Sequence, residues 1–241
     1  MGHQCVDCVG EVRRTGRRAT TVAGAEPGAR PVVVPILIAV NVVVFALTAV
    51  QAGSGQRNDV SALFEAWELV PGLVTAGEWW RILTSGFLHF GLIHLAFNML
   101  ALWILGRDVE TVLGRGRFLA VYLISMLGGS AAIMLIYGAG ATVAGASGAV
   151  FGVMGALVVV LRRLRMPPGP ALGIIAINVA IGFLIPAISL TAHVGGLLAG
   201  AAATVALVYA PARNRTTAQA AALGALTLVV LALIAVGAFV L

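Results

Sequence analysis

Charge falls along this chain in blocks, and the gaps between the blocks constrain its fold more than any other feature. Five stretches contain no Asp, Glu, Lys or Arg: residues 32–52, 82–106, 118–161, 166–212 and 216–241. A helix needs about 20 apolar residues to cross the hydrocarbon core of a bilayer. The first, second and fifth stretches each fit one span. The third and fourth are long enough for two, with natural breaks at Gly138-Ala139-Gly140 and near Pro186. The pattern predicts seven spans, roughly at 33–51, 86–106, 118–137, 146–163, 171–188, 190–209 and 219–240. Composition agrees: 60% of residues are apolar, 10% are charged and the mean hydropathy is +1.03. A soluble domain carries about 25% charged residues. A water-soluble globular enzyme and a disordered chain are both excluded, leaving an all-α polytopic membrane protein.

The arginines orient it. All fifteen basic residues are Arg, and with a cytoplasmic N-terminus thirteen of them fall on cytoplasmic segments; only Arg57 and Arg81 fall outside. Adding or removing one span would scramble that alternation. The positive-inside rule therefore predicts a multi-pass protein of the cell membrane with its N-terminus in the cytoplasm and its C-terminus outside. On this reading the net charge of +6 reports topology, and nucleic acid is not an expected partner. The first thirty residues are polar and contain arginine, so no cleaved leader is expected. The only two cysteines, Cys5 and Cys8, lie near the N-terminus and cannot staple the body of the fold.

Ionisable groups inside spans are costly and mark function. His89, His94 and His193 lie in or at the edge of spans, as does Asn98. His94 and Asn98 are four residues apart, so they share a helix face. Spans two, four and six all run inward, and each places its polar residue near its outer end: His94 and Asn98 on the second, Ser147 on the fourth, His193 on the sixth. Three helices supplying polar groups at one depth describe a site.

Ser with His is a nucleophile and base pair. The last acidic residue is Glu110, so no carboxylate near Ser147 or His193 in sequence completes a triad, and serine chemistry here is a dyad. Oxyanion donors are available from the His94 and Asn98 side chains or from the free backbone N–H groups at the start of span four. Aspartyl chemistry lacks a mid-membrane pair of Asp, and no His-Glu-x-x-His zinc motif is present. Gly148 and Gly152 on span four, and Gly196 and Gly200 on span six, make small faces that allow close helix approach.

These residues resemble the rhomboid family of intramembrane serine proteases. The run from His89 through His94 to Asn98 looks like the family's second-helix pattern. Gly145-Ala-Ser147-Gly148 is similar to its Gly-x-Ser-Gly motif, and His193 with Gly196 and Gly200 resembles its sixth-helix motif. Trp80-Arg81 looks like its first-loop pair, and Glu110 falls where the family keeps a structural Glu. The resemblance implies Ser147 as nucleophile and His193 as general base. It implies His94, Asn98 and the Ser147 amide as oxyanion donors, and substrates that are membrane-spanning segments cut near the outer face, without cofactor or nucleotide. Residues 32–209 then form a six-helix protease core. Residues 1–31 are a cytoplasmic tail, and 210–241 a linker with a seventh helix. Phe151 stands where many members have Tyr under the catalytic His. His3, Cys5 and Cys8 resemble half of a zinc ribbon, short of the four ligands a closed site needs, so no bound metal is expected.

Two other readings compete. A proton-coupled transporter would use His94 and His193 as a relay, but it would want intramembrane acids or inverted repeats. A catalytically silent rhomboid-like protein would bind and route membrane clients; such relatives lose the Ser or the His, and both are present here.

Overall fold

The computed structural model describes residues 20–184 and 189–240. Cys5, Cys8, four of the N-terminal arginines and the break near Pro186 lie outside the described residues. Within them the chain is helical, with one isolated antiparallel bridge between Leu69 and Val143.

Helix α1 is Val33–Ala52. A loop follows with three short helices, α2 (Ala62–Trp67), α3 (Pro71–Thr75) and α4 (Arg81–Thr84). Then come α5 (Gly91–Leu113), α6 (Arg115–Ile136), α7 (Ser147–Arg163), α8 (Gly169–Leu184), α9 (Leu190–Val208) and α10 (Arg215–Val240). Seven of these helices answer to the seven expected spans. The helices at the first, second, third, sixth and seventh positions are long and apolar enough to cross a membrane. By contrast, α7 and α8 have 17 and 16 residues. At 1.5 Å per residue each rises about 25 Å, short of the ~30 Å hydrocarbon core. A gap between charges bounds a helix from outside and does not say how much of the gap the approach segment uses.

The second span also starts later than expected. Residues 81–90 form α4, a 3₁₀ turn and an extended step, and the long helix begins only at Gly91, whose φ of +74° favours glycine. A π-helical turn at Leu102–Gly106 interrupts α5 before its last two turns.

Helix ends explain two joins. The first N–H groups of α1 have no side-chain cap of their own. They are taken by Glu110 of α5, whose carboxylate accepts from Val32 and Val33 (2.7 and 2.9 Å) and from Val34 (2.9 Å). An acid at a helix start also complements its dipole. Gly114, at φ +81°, lets α5 turn directly into α6.

The centre of the bundle is α6, α7 and α9. Small residues meet there backbone to backbone. A Cβ on Gly128 of α6 would lie 2.9 Å from the Gly195 carbonyl oxygen, and one on Gly196 of α9 would collide with the Gly148 carbonyl of α7. Gly200 meets Gly152 in the same way, one turn on. Around this centre lie buried Tyr122, Phe118, Val153, Met154 and Leu207. Helix α10 lies on the perimeter against α6, where Gly237 meets the Met134 backbone. Only Ala171 and Gly182 of α8 are buried.

The loop between α1 and α5 braces the approach to α7. Leu69 and Val143 exchange backbone hydrogen bonds of 2.9 and 3.0 Å, Gly72 N–H donates to Ala139, and Gly145 N–H donates to Ser85 at 3.0 Å. The extended segment before Ser147 is therefore held from the side.

Candidate active site

Ser147 is the first residue of α7, and its fourth successor on the helix is Phe151. His193 sits in the first turn of α9, whose start is capped by Ser189 accepting from the Ala192 N–H. Because Gly148 and Gly196 remove the side chains between the two helices, the backbones approach closely enough for short polar groups to meet. The Ser147 Oγ lies 2.8 Å from His193 Nε2. With Nε2 accepting the hydroxyl proton, Nδ1 carries the ring hydrogen. Nδ1 is buried and has no hydrogen-bond partner among the described residues. The imidazole is instead held by stacking: the Phe151 ring lies 4.0 Å below it, centroid to centroid, at 14°.

His94 approaches from α5. Its Nδ1 accepts from the Phe90 N–H at 3.2 Å, which leaves the hydrogen on Nε2. That nitrogen faces Gly145. A Cβ built on Gly145, at φ +140°, would lie 3.1 Å from His94 Nε2 and 3.6 Å from Ser147 Oγ. One point of free space is therefore within reach of both groups, and it is free because residue 145 is glycine. Asn98, one turn on, is buried and donates to the His94 carbonyl at 2.9 Å. Its amide has a second hydrogen, which that bond does not use.

The remaining motif residues are scaffold. Both ring nitrogens of His89 are buried with no close hydrogen-bond partner among the described residues, and its ring edges that of His94 at 5.1 Å. Its carbonyl accepts from Asn58 at 2.9 Å, tying it to the first loop. Trp80 donates its indole N–H to the Ala66 carbonyl. Arg81, only 5% exposed, donates to the Glu65 and Glu68 carbonyls (2.6 and 2.8 Å) and pairs with Glu78 at 2.7 Å. Partial burial lifts the Glu68 carboxyl above its ordinary range, and Arg81 partly offsets this. Glu110 is at the far end of the bundle, capping α1, and Gly196 and Gly200 are contact residues between helices.

Asn58 is a residue that nothing in the linear pattern singles out. It is fully buried. Its amide nitrogen donates to Thr48 and to the His89 carbonyl, and its oxygen accepts the Gly91 N–H, each at 2.9 Å. It thereby fixes the start of the helix that carries His94 and Asn98. One Asn in a polar loop looks like any turn residue, and nothing local marks it.

A narrow cavity adjoins the Ser147 end of α7, lined by Ser85, Gly86, Met126, Ser130, Ala144 and Gly145 among others. It is walled mainly by small and apolar groups.

The family model of the Rhomboid domain matches residues 76–210. The chain is 38% identical over 201 residues to Rhomboid protease GluP of Bacillus subtilis, a match covering 81% of this chain and 38% of that protein. It is 32% identical to RHOMBOID-like protein 5 of Arabidopsis thaliana, across 69% of this chain and 64% of the relative. It is also 32% identical to Rhomboid-type serine protease 2 of Emericella nidulans, across 56% and 28% respectively. The chain thus matches less than two thirds of the length of each of these three relatives. The matched region contains the Trp80-Arg81 pair, the His94 and Asn98 face, Ser147 and His193, and on that ground the chain, a multi-pass helical membrane protein, belongs to the rhomboid family.

Proposed function

We propose that this protein is an intramembrane serine endopeptidase that cuts membrane-spanning segments of other proteins with Ser147 and His193. The observation that carries the reading is the 2.8 Å contact between Ser147 Oγ and His193 Nε2, on an imidazole backed by Phe151. As Oγ attacks the scissile carbonyl carbon, its proton passes to Nε2 and the carbonyl electron pair moves onto oxygen. The oxyanion occupies the space beside Gly145, facing His94 Nε2–H, with the free Asn98 amide hydrogen and the Ser147 N–H as further donors. Collapse expels the amine, which takes the proton from His193 and leaves an ester on Ser147. Water, deprotonated by the same imidazole, then releases the acid and restores the serine. No cofactor is required by these steps.

Residues 32–209 would form the protease core, with residues 210–241 an appended linker and helix. With the N-terminus cytoplasmic, the cut falls near the outer face of the cell membrane, where water can enter. A helical peptide bond is shielded by its own turn, so the substrate must unwind locally, and small or helix-breaking residues are expected near the cut.

The test is labelling by a fluorophosphonate probe in detergent. Wild type should label, and Ser147→Ala and His193→Ala should not, while all three retain the same thermal unfolding. Labelling of Ser147→Ala at the wild-type rate would overturn the assignment.

A further inference from the structure

At the end of the bundle opposite Ser147, two helices start side by side. Helix α6 begins at Arg115 and α10 at Arg215, and Arg117 Nε donates to Gln219 Oε1 across the gap at 2.8 Å. A helix start has unpaired N–H groups and the positive end of the dipole, so acids are favoured there and bases are not. Neither helix has an acid in its first turn. Arginines stand there instead, Arg115 and Arg117 on α6 and Arg215 on α10.

The chain before α1 runs past both. Gln219 Nε2 donates to the Ala23 carbonyl (2.9 Å) and the Leu207 carbonyl (2.7 Å), which pins this segment against α9 and α10. Gly24 has φ +86°, and a Cβ on it would lie 3.1 Å from a terminal nitrogen of Arg215 and 3.7 Å from one of Arg117. Two guanidinium groups thus face one small volume. Arg215 Nε is buried and has no hydrogen-bond partner among the described residues. The one ion pair among the described residues, Arg81 with Glu78, is in the loop between α1 and α5. Like charges brought together at two positive helix ends, with no carboxylate paired to either among the described residues, favour an anion.

We infer that Arg117, Arg215 and the Gly24 turn bind the phosphodiester of an acidic phospholipid. The guanidinium fork matches phosphate oxygens. Helix α10 lies on the perimeter, and its Leu228 and Val229 are exposed, so acyl chains can run alongside it. A leaflet of acidic lipids concentrates this ligand at the basic end of the bundle. A headgroup with its own cation, such as choline, brings a third positive charge to the pair and is disfavoured.

The experiment is native mass spectrometry of the full chain, stripped of lipid in detergent and titrated with phosphatidylglycerol or phosphatidylcholine. The first phosphatidylglycerol should bind more tightly than phosphatidylcholine. Arg117→Gln and Arg215→Gln should each weaken it by roughly five-fold, the effect of losing one arginine at a charged lipid surface. Arg162→Gln, an exposed arginine at the same end, should leave it unchanged, which separates a site from general charge. Thermal unfolding of each variant without lipid checks that it is folded. Equal binding of the two lipids, or unchanged binding in the double variant Arg117→Gln/Arg215→Gln, would overturn the inference. So would displacement of the lipid by inorganic phosphate, which assigns the site to a free anion. Tight lipid binding that appears only in Asp7→Asn/Glu11→Gln would overturn it too, by assigning the site to carboxylates of the N-terminal tail.

Discussion

Phe151 lies flat against His193, with ring centroids 4.0 Å apart, and this contact takes the place of a hydrogen bond on His193 Nδ1. In a dyad the imidazole has no carboxylate to hold its orientation, so stacking is what fixes it. An aromatic pair contributes about 0.5–1.5 kcal/mol beyond its area burial. Phe151→Leu should therefore lower kcat/KM by roughly 2- to 13-fold, at 1.36 kcal/mol per factor of ten. Phe151→Tyr keeps the ring and should stay near wild type. A peptide cleavage assay on both variants checks this, and a Leu variant as fast as wild type would remove the stacking role.

Gly145 keeps open the space between His94 and Ser147. An Ala there would place a methyl 2.8 Å from His94 Cε1 at a φ of +140°, which side chains rarely adopt. Gly145→Ala should cut turnover by at least about 10²-fold, the scale of losing one oxyanion contact. Gly138→Ala and Gly140→Ala, in the same connecting segment with nothing within 4 Å, should cleave at the wild-type rate. Equal rates for all three would place the oxyanion elsewhere.

The interface between α7 and α9 depends on absent side chains. A Cβ on Gly196 would run into the Gly148 carbonyl and lie 3.0 Å from its Cα. Backbone on backbone cannot yield as a flexible side chain can, so Gly196→Ala should destabilise by about 1–3 kcal/mol. It should also pull His193 away from Ser147 and abolish probe labelling. Gly224→Ala on α10 meets nothing within 4 Å and should unfold no earlier than wild type. Thermal unfolding in detergent distinguishes the two.

These contacts also show which features the linear pattern can carry. The places of the five long apolar helices follow from charge spacing, because crossing hydrocarbon leaves no freedom to place an Arg. The common depth of His94, Ser147 and His193 follows from span direction, and glycines in a three-then-four rhythm mark the close faces. What escapes is anything set by a partner far along the chain. Asn58 holds Gly91 across 33 positions, and no local rule connects them. The late start of α5 likewise depends on how residues 82–90 fold back against the approach to Ser147, and a run without charges looks the same either way.

Glu110 gives the longest-range test. Its carboxylate accepts the N–H groups of Val32, Val33 and Val34, 76 to 78 residues away, and is 2% exposed. Among the described residues, no other side chain caps that helix start. Hydrogen bonds to a charged group are each stronger than neutral ones, and a capping residue contributes about 0.5–2 kcal/mol. Glu110→Gln keeps one acceptor and loses the charge; Glu110→Ala loses both and leaves three donors beside apolar packing. Stability should fall in the order wild type, Gln, Ala, with Ala lower by about 2 kcal/mol or more because buried donors go unsatisfied. Because Glu110 lies at the opposite end from Ser147, the folded Gln variant should still label with the probe at close to the wild-type rate. Unfolding midpoints that do not separate the Ala variant from wild type would show that water caps α1 equally well, and that the join between α1 and α5 rests on apolar contact alone.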